Sequence, residues 1–145
     1  MAIDSTREIR RALVQLLKAA PAFTAIIPAV KVFGHSAPAD LARPFSTIGV
    51  PITSPIRAAC VDGQEITLAV HLWVRDWFED ETLVEDGEDV AGRAMAAASA
   101  ALDRQRLTLP RGHATVRLAG TRLQLDGEPD VFHGIVNLSI RCMTV

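Results

Sequence analysis

The chain has 145 residues, 49% of them apolar and 22% charged, and its formal net charge is −2. These figures fit one soluble domain large enough to bury a core, and the negative balance argues against broad neutralisation of nucleic-acid phosphates. The opening MAIDSTREIRRALVQLL mixes charges among its apolar positions and reads as neither a signal peptide nor a membrane span.

Ser5 and Glu8 have the spacing of a capping box, in which each side chain satisfies a free backbone N–H of the other residue. Ile9, Ala12, Leu13, Leu16, Leu17 and Ala20 then recur at helical spacing along one stripe, and Pro21 ends the run. PAFTAII (Pro21 to Ile27) predicts a short further turn of helix, stopped by Pro28. VKVF (Val30 to Phe33) predicts a short strand, GHSAPADLARP a loop, and FSTIGV (Phe45 to Val50) a second strand. Residues from Pro51 to Gly63 hold no periodicity and predict a long loop.

From Glu65 to Arg75 the alternation is strict. Ile66, Leu68, Val70, Leu72 and Val74 share one face, and Thr67, His71, Trp73 and Arg75 share the other. That pattern belongs to an antiparallel sheet with one buried side. A helix from about Asp86 to Leu102 follows, with Val90, Ala94, Ala97, Ala98, Ala101 and Leu102 as a small-residue stripe that lets it lie close to the sheet. In HATVRLAGTRLQL (His113 to Leu125), Val116 and Leu118 hold one phase and Leu123 and Leu125 the other, with Gly120 between them at a bulge position. DGEPD (Asp126 to Asp130) supplies turn chemistry, after which Phe132, Val136, Leu138, Ile140 and Cys142 alternate along a last strand. No repeat or linker divides the chain. Residues 1–145 therefore read as a single α+β domain, an antiparallel sheet with two main helices packed on one face.

Between Asp76 and Asp89, eight carboxylates fall within fourteen residues with no Lys or Arg among them. The run lacks the order of a calcium loop, and His35, His71, His113 and His133 stand singly, outside any zinc spacing. Crowded, solvated carboxylates without an apolar pocket do not separate their pKa values as acid and base must. No nucleophile elbow, P-loop or dinucleotide fingerprint occurs. Cys60 and Cys142 form no disulfide framework and read as reduced thiols of an intracellular product, Cys142 in the core. The residues point to no enzyme, no metal and no cofactor. Glu85, Asp86, Glu88 and Asp89 suit the start of a helix, where the dipole favours negative charge; Asp76, Glu79, Asp80 and Glu81 read as a solvated loop. Trp73, in the polar phase of its strand, and Trp77 and Phe78, at the loop junction, read as interface anchors.

Taken in order, the helix REIRRALVQLLKAAPAFTAII, the run VKVFGHSAPADLARPFSTIGV, the strand EITLAVHLWVRD, the Ala-rich helix ending AALD and the closing GTRLQLDGEPDVFHGIVNLSI resemble a known family. It is that of the tail-completion, or tail-terminator, proteins of long-tailed bacteriophages and phage-derived gene transfer agents. The likeness runs from about Arg7 to Ile140. The chain departs from it in the acidic insertion after Trp77 and in the long stretch RLTLPRGHATVRL.

The resemblance implies a structural virion protein, a homohexameric ring on the head-proximal end of the tail tube, assembled in the host cytoplasm without a membrane. Such a ring stops tube polymerisation and contacts the tail tube protein below and the head-tail connector or stopper above, and DNA passes its lumen without specific binding. Within that picture Trp73, Trp77 and Phe78 are expected in lateral contacts between subunits. Glu79, Asp80, Glu81, Glu85 and Asp86 are expected on the face that meets the neighbouring ring. Two other readings stay open: a different neck component, such as a head-closure or tail-tube ring protein, and a small cytoplasmic ligand-binding or enzymatic domain using His71 and the acidic loop.

Overall fold

The strict alternation at the centre of the chain builds the longest strand. In the computed structural model, which describes residues 5–58, 60–128 and 130–144, β3 (Val61–Arg75) buries Ile66, Val70, Leu72 and Val74 completely and Leu68 almost so. The first four residues and Pro129, parts of the opening segment and of the turn motif, lie outside the described residues. Along its whole length β3 pairs antiparallel with β8 (Val131–Thr144), from Asp62↔Thr144 to Arg75↔Val131. On β8, Gly134, Val136, Leu138, Ile140 and Cys142 are buried in the expected phase with Phe132 partly buried against them, and Val131 at the strand start is buried out of that phase.

Beyond β8 lie β7 (Gly112–Leu125) and then β6 (Arg106–Leu109). The β7–β8 register slips between Leu118 and Gly120, which is the expected bulge. It resets the phase so that Leu118, opposite Leu138, and Leu123 and Leu125, opposite Gly134 and Phe132, fall on one face; Leu123 is partly buried there, while Leu118 and Leu125 stay exposed. On its other edge β3 carries β1 (Phe45–Ile48) beside its C-terminal half and β2 (Ile52–Ala58) beside its N-terminal half.

The helices α1 (Thr6–Lys18), α2 (Pro21–Thr24) and α3 (Gly87–Leu102) form the second layer. Along α3, Val90, Ala91, Ala94, Ala98 and Leu102 face β3, β7 and β8, and the alanines allow the close approach. Ile9, Leu13 and Leu17 of α1 are buried, as are Phe23 and Ile27 at α2. Each such side chain contributes roughly 1.5–3 kcal/mol by leaving water.

Several expectations need correction. Ser5 stands at the α1 N-cap but makes no side-chain cap bond; its backbone (φ −100, ψ 8) is not the extended form in which a serine hydroxyl reaches forward. Val30–Phe33 is not a strand. Ala29–Lys31 forms a 3-10 turn after Pro28, and only Val32 bridges β1, in parallel, at Ser46. The stretch after Pro51 is strand β2, not a long loop. Six of its seven residues are exposed, so no apolar period marks it, and Pro55 sits where edge strands tolerate proline. Strand β6 was not expected at all; four residues are too short for their alternation of Leu107 and Leu109 to carry a pattern.

Candidate functional site

Two surfaces flank the end of β3. The first is the sheet face opposite the helices. There Trp73 stacks on Phe45 at 4.9 Å and on His133 at 4.6 Å between ring centroids, the latter pair only 9° from parallel. Phe45 and His133 are the cross-strand neighbours of Trp73 on β1 and β8, so three strands place the stack. Trp73 therefore sits outside the main core, as its phase implies.

A polar chain extends the stack. Arg122 Nη2 donates to Gln124 Oε1 at 3.0 Å, which turns the Gln124 amide nitrogen toward His133 Nδ1, also at 3.0 Å. His133 Nδ1 then accepts, its Nε2–H donates to His71 Nδ1 at 2.8 Å, and His71 carries its proton on Nε2. Burial holds both imidazoles below the ordinary value of 6.5, and for His133 the neighbouring His71 adds to the effect. A lowered folded value means the unfolded chain binds protons first as pH falls. This contribution to stability is complete above 6.5 and declines below it. The urea midpoint is expected to drop between about pH 7.5 and about pH 5.5, and in His71→Gln that drop should shrink. An unchanged pH slope in the variant would show that the pair carries no titration.

The second surface is a hairpin. Trp77–Glu79 (β4) and Thr82–Glu85 (β5) pair with each other and not with the main sheet, through a turn in which Asp80 and Glu81 both have positive φ (47° and 65°). Two positive values are what a two-residue turn matched to strand twist needs. Nothing in the structure explains why a glutamate fills the second. The expected solvated loop is thus an ordered hairpin. It leaves Trp77, Phe78, Leu83 and Val84 between 45% and 52% exposed. A groove of about 450 Å³ separates Trp77 and Phe78 from Ile26, Val90 and Arg93.

The eight carboxylates do not act as one block. Asp76 Oδ1 accepts the Gly87 N–H at 2.6 Å, and Asp86 caps α3 by accepting from Asp89 N at 3.1 Å. Glu85 receives both Nε and Nη2 of Arg93, at 2.7 and 2.6 Å, and this pairing holds its carboxyl below the ordinary range. Those three residues pin the base of the hairpin to α3. Glu79, Asp80, Glu81, Glu88 and Asp89 make no side-chain ion pair among the described residues. Glu88 and Asp89 lie in the first turn of α3, where the dipole favours them.

Sequence reasoning missed a third feature. Arg7, Arg10 and Arg11, with Val14, Gln15 and Gly34, line a depression of about 400 Å³ beside α1. None of these arginines makes an ion pair among the described residues, and Arg10 Nε is buried without a partner. The signal was legible: three arginines at i, i+3 and i+4 share one face of a helix. Among the described residues no group of three or more His, Cys, Asp or Glu could hold a metal ion. No helix there is long and apolar enough to cross a membrane.

The family described as Tail completion protein gp17 matches residues 11–142 of the chain. A chain from a solved structure described as "Virion of native gene transfer agent (GTA) particle" has the same fold. The TM-score is 0.75 over 93% of this chain and 94% of that one, at 18% sequence identity. No curated protein matches the sequence.

Proposed function

The chain belongs to the tail completion protein gp17 family, and from that membership we propose that its copies form a hexameric ring on the head-proximal end of a tail tube. The ring ends tube polymerisation and presents a face to the connector of the head. The observation that carries this reading is the β4–β5 hairpin: four large apolar side chains stand about half exposed on a two-stranded ribbon. A ribbon of that size is marginal by itself, and clustered exposed apolar groups mark a contact surface. The fold shared with a chain of a gene transfer agent virion supports a place in a particle.

In this reading Trp77, Phe78, Glu79, Asp80 and Glu81 touch a neighbour, and Trp73 lends the outer sheet face to a subunit contact. Glu85 and Asp86 act indirectly, by holding the hairpin on α3. A ring needs different surfaces on its two sides, because head-to-tail contacts close a cycle. DNA crosses the lumen without being gripped, in keeping with the net charge of −2. The protein acts as structure, with no reaction and no cofactor, in the virion and, before assembly is complete, in the host cytoplasm.

Native mass spectrometry of the purified chain is expected to give a hexamer. In Trp73→Ala, loss of the stack should raise the dissociation constant of the ring about tenfold. A monomer at every concentration, together with normally joined particles from a strain lacking the gene, would overturn the proposal. A Trp73→Ala ring as stable as the parent would remove the outer face from the contact.

A further inference from the structure

Resting on the ring reading above, we infer that the acidic hairpin of one copy docks on the arginine-lined depression of α1 in the next. At the hairpin tip Glu79, Asp80 and Glu81, and on α1 Arg7, Arg10 and Arg11, lack ion-pair partners among the described residues, and the two sets are of opposite charge. Their chemistry also matches beyond charge. The tip presents Glu79, Asp80 and Glu81 with Phe78 and Leu83 exposed behind them. The depression surrounds partly buried Val14 with Arg7, Arg10 and Arg11. A carboxylate arriving there would be held by guanidinium groups over an apolar floor, the arrangement in which such pairs are strongest.

Within one chain, among the described residues, no ion pair joins the two surfaces. The arginines occupy the N-terminal half of α1, whereas the hairpin is held to α3 by Asp76, Glu85 and Asp86. A second copy is the occupant that satisfies both ends at once, and repeating such a head-to-tail contact gives a ring when its rotation closes.

The test is a charge swap at exposed positions, read by native mass spectrometry and sedimentation at low salt. Arg7→Glu with Arg11→Glu, and separately Glu79→Lys with Glu81→Lys, should each weaken assembly at least about tenfold while leaving the melting transition of the monomer in place. The chain carrying all four changes should assemble to within about threefold of the parent, and raising salt should weaken parent and swapped ring alike. If the parent forms a ring and both two-site variants form it equally well, this contact is wrong and the ring reading stands. If both variants fail and the four-site chain also fails, the two surfaces bind other partners and the inference falls. A parent that stays monomeric at every concentration at low salt overturns the contact, and together with normally joined particles from a strain lacking the gene it overturns the ring reading as well.

Discussion

Leu72→Asp is expected to leave no soluble, cooperatively melting protein. Leu72 is completely buried on β3 opposite Gly134 of β8, and its Cδ1 lies 3.6 Å from where a Cβ on Gly134 would stand. The substitution removes roughly 2 kcal/mol or more of apolar burial and places a carboxylate where no partner can reach it, at a cost of several kcal/mol. Domains of this size are stable by only about 5–15 kcal/mol, so the sum removes most or all of the margin. Thr67→Asp tests the phase of the same strand. Thr67 is exposed on the opposite face, and its variant should melt within a few degrees of the parent. A soluble, cooperative Leu72→Asp protein would mean that the buried face has been assigned the wrong way round.

Gly112→Ala should be the most damaging single-methyl change in the molecule. Gly112 follows the turn between β6 and β7 with φ +135, a conformation that side chains rarely adopt, and a Cβ there would collide with the carbonyl oxygen of Met143. Met143 sits on β8, held between β3 and β7, so its backbone cannot yield cheaply. Backbone strain and the collision together should cost about 3 kcal/mol or more, which lowers the melting temperature by about 10 °C in a chain of this size. Gly120, at the bulge, has open space around its Cβ position and no positive φ. Gly120→Ala should shift the melting temperature by less than about 2 °C. Equal effects at the two glycines would show that the turn at Gly112 relaxes more easily than the sheet allows.

Elements with one wet and one dry side were legible. The β3 alternation, the α3 alanine stripe, the β8 phase and the bulge at Gly120 all stand where periodicity put them, because each buries one face against the other layer and selection of residue type follows burial. Strand β2 escaped because nearly all of it is exposed, and the β4–β5 hairpin because exposed tryptophan, phenylalanine and carboxylates alternate without a core side. For those ribbons the pattern of apolar residues carries no information on pairing; hydrogen bonds between backbones decide it, and these are the same for every sequence.

The candidate surfaces divide along the same line. That Trp73 leaves the core follows from counting residues along its strand. That it stacks on His133, and that His133 bonds to His71, depends on the register of β3 with β8, set by contacts sixty positions apart in the chain. Composition and spacing were enough to mark the acidic stretch as a surface, because carboxylates at that density must stay in water. Only the folded chain separates Asp76, Glu85 and Asp86, which hold the hairpin to α3, from Glu79, Asp80 and Glu81 at its tip. The residue types were the same; distance to a backbone N–H or a guanidinium made the difference, and distance is a property of tertiary structure.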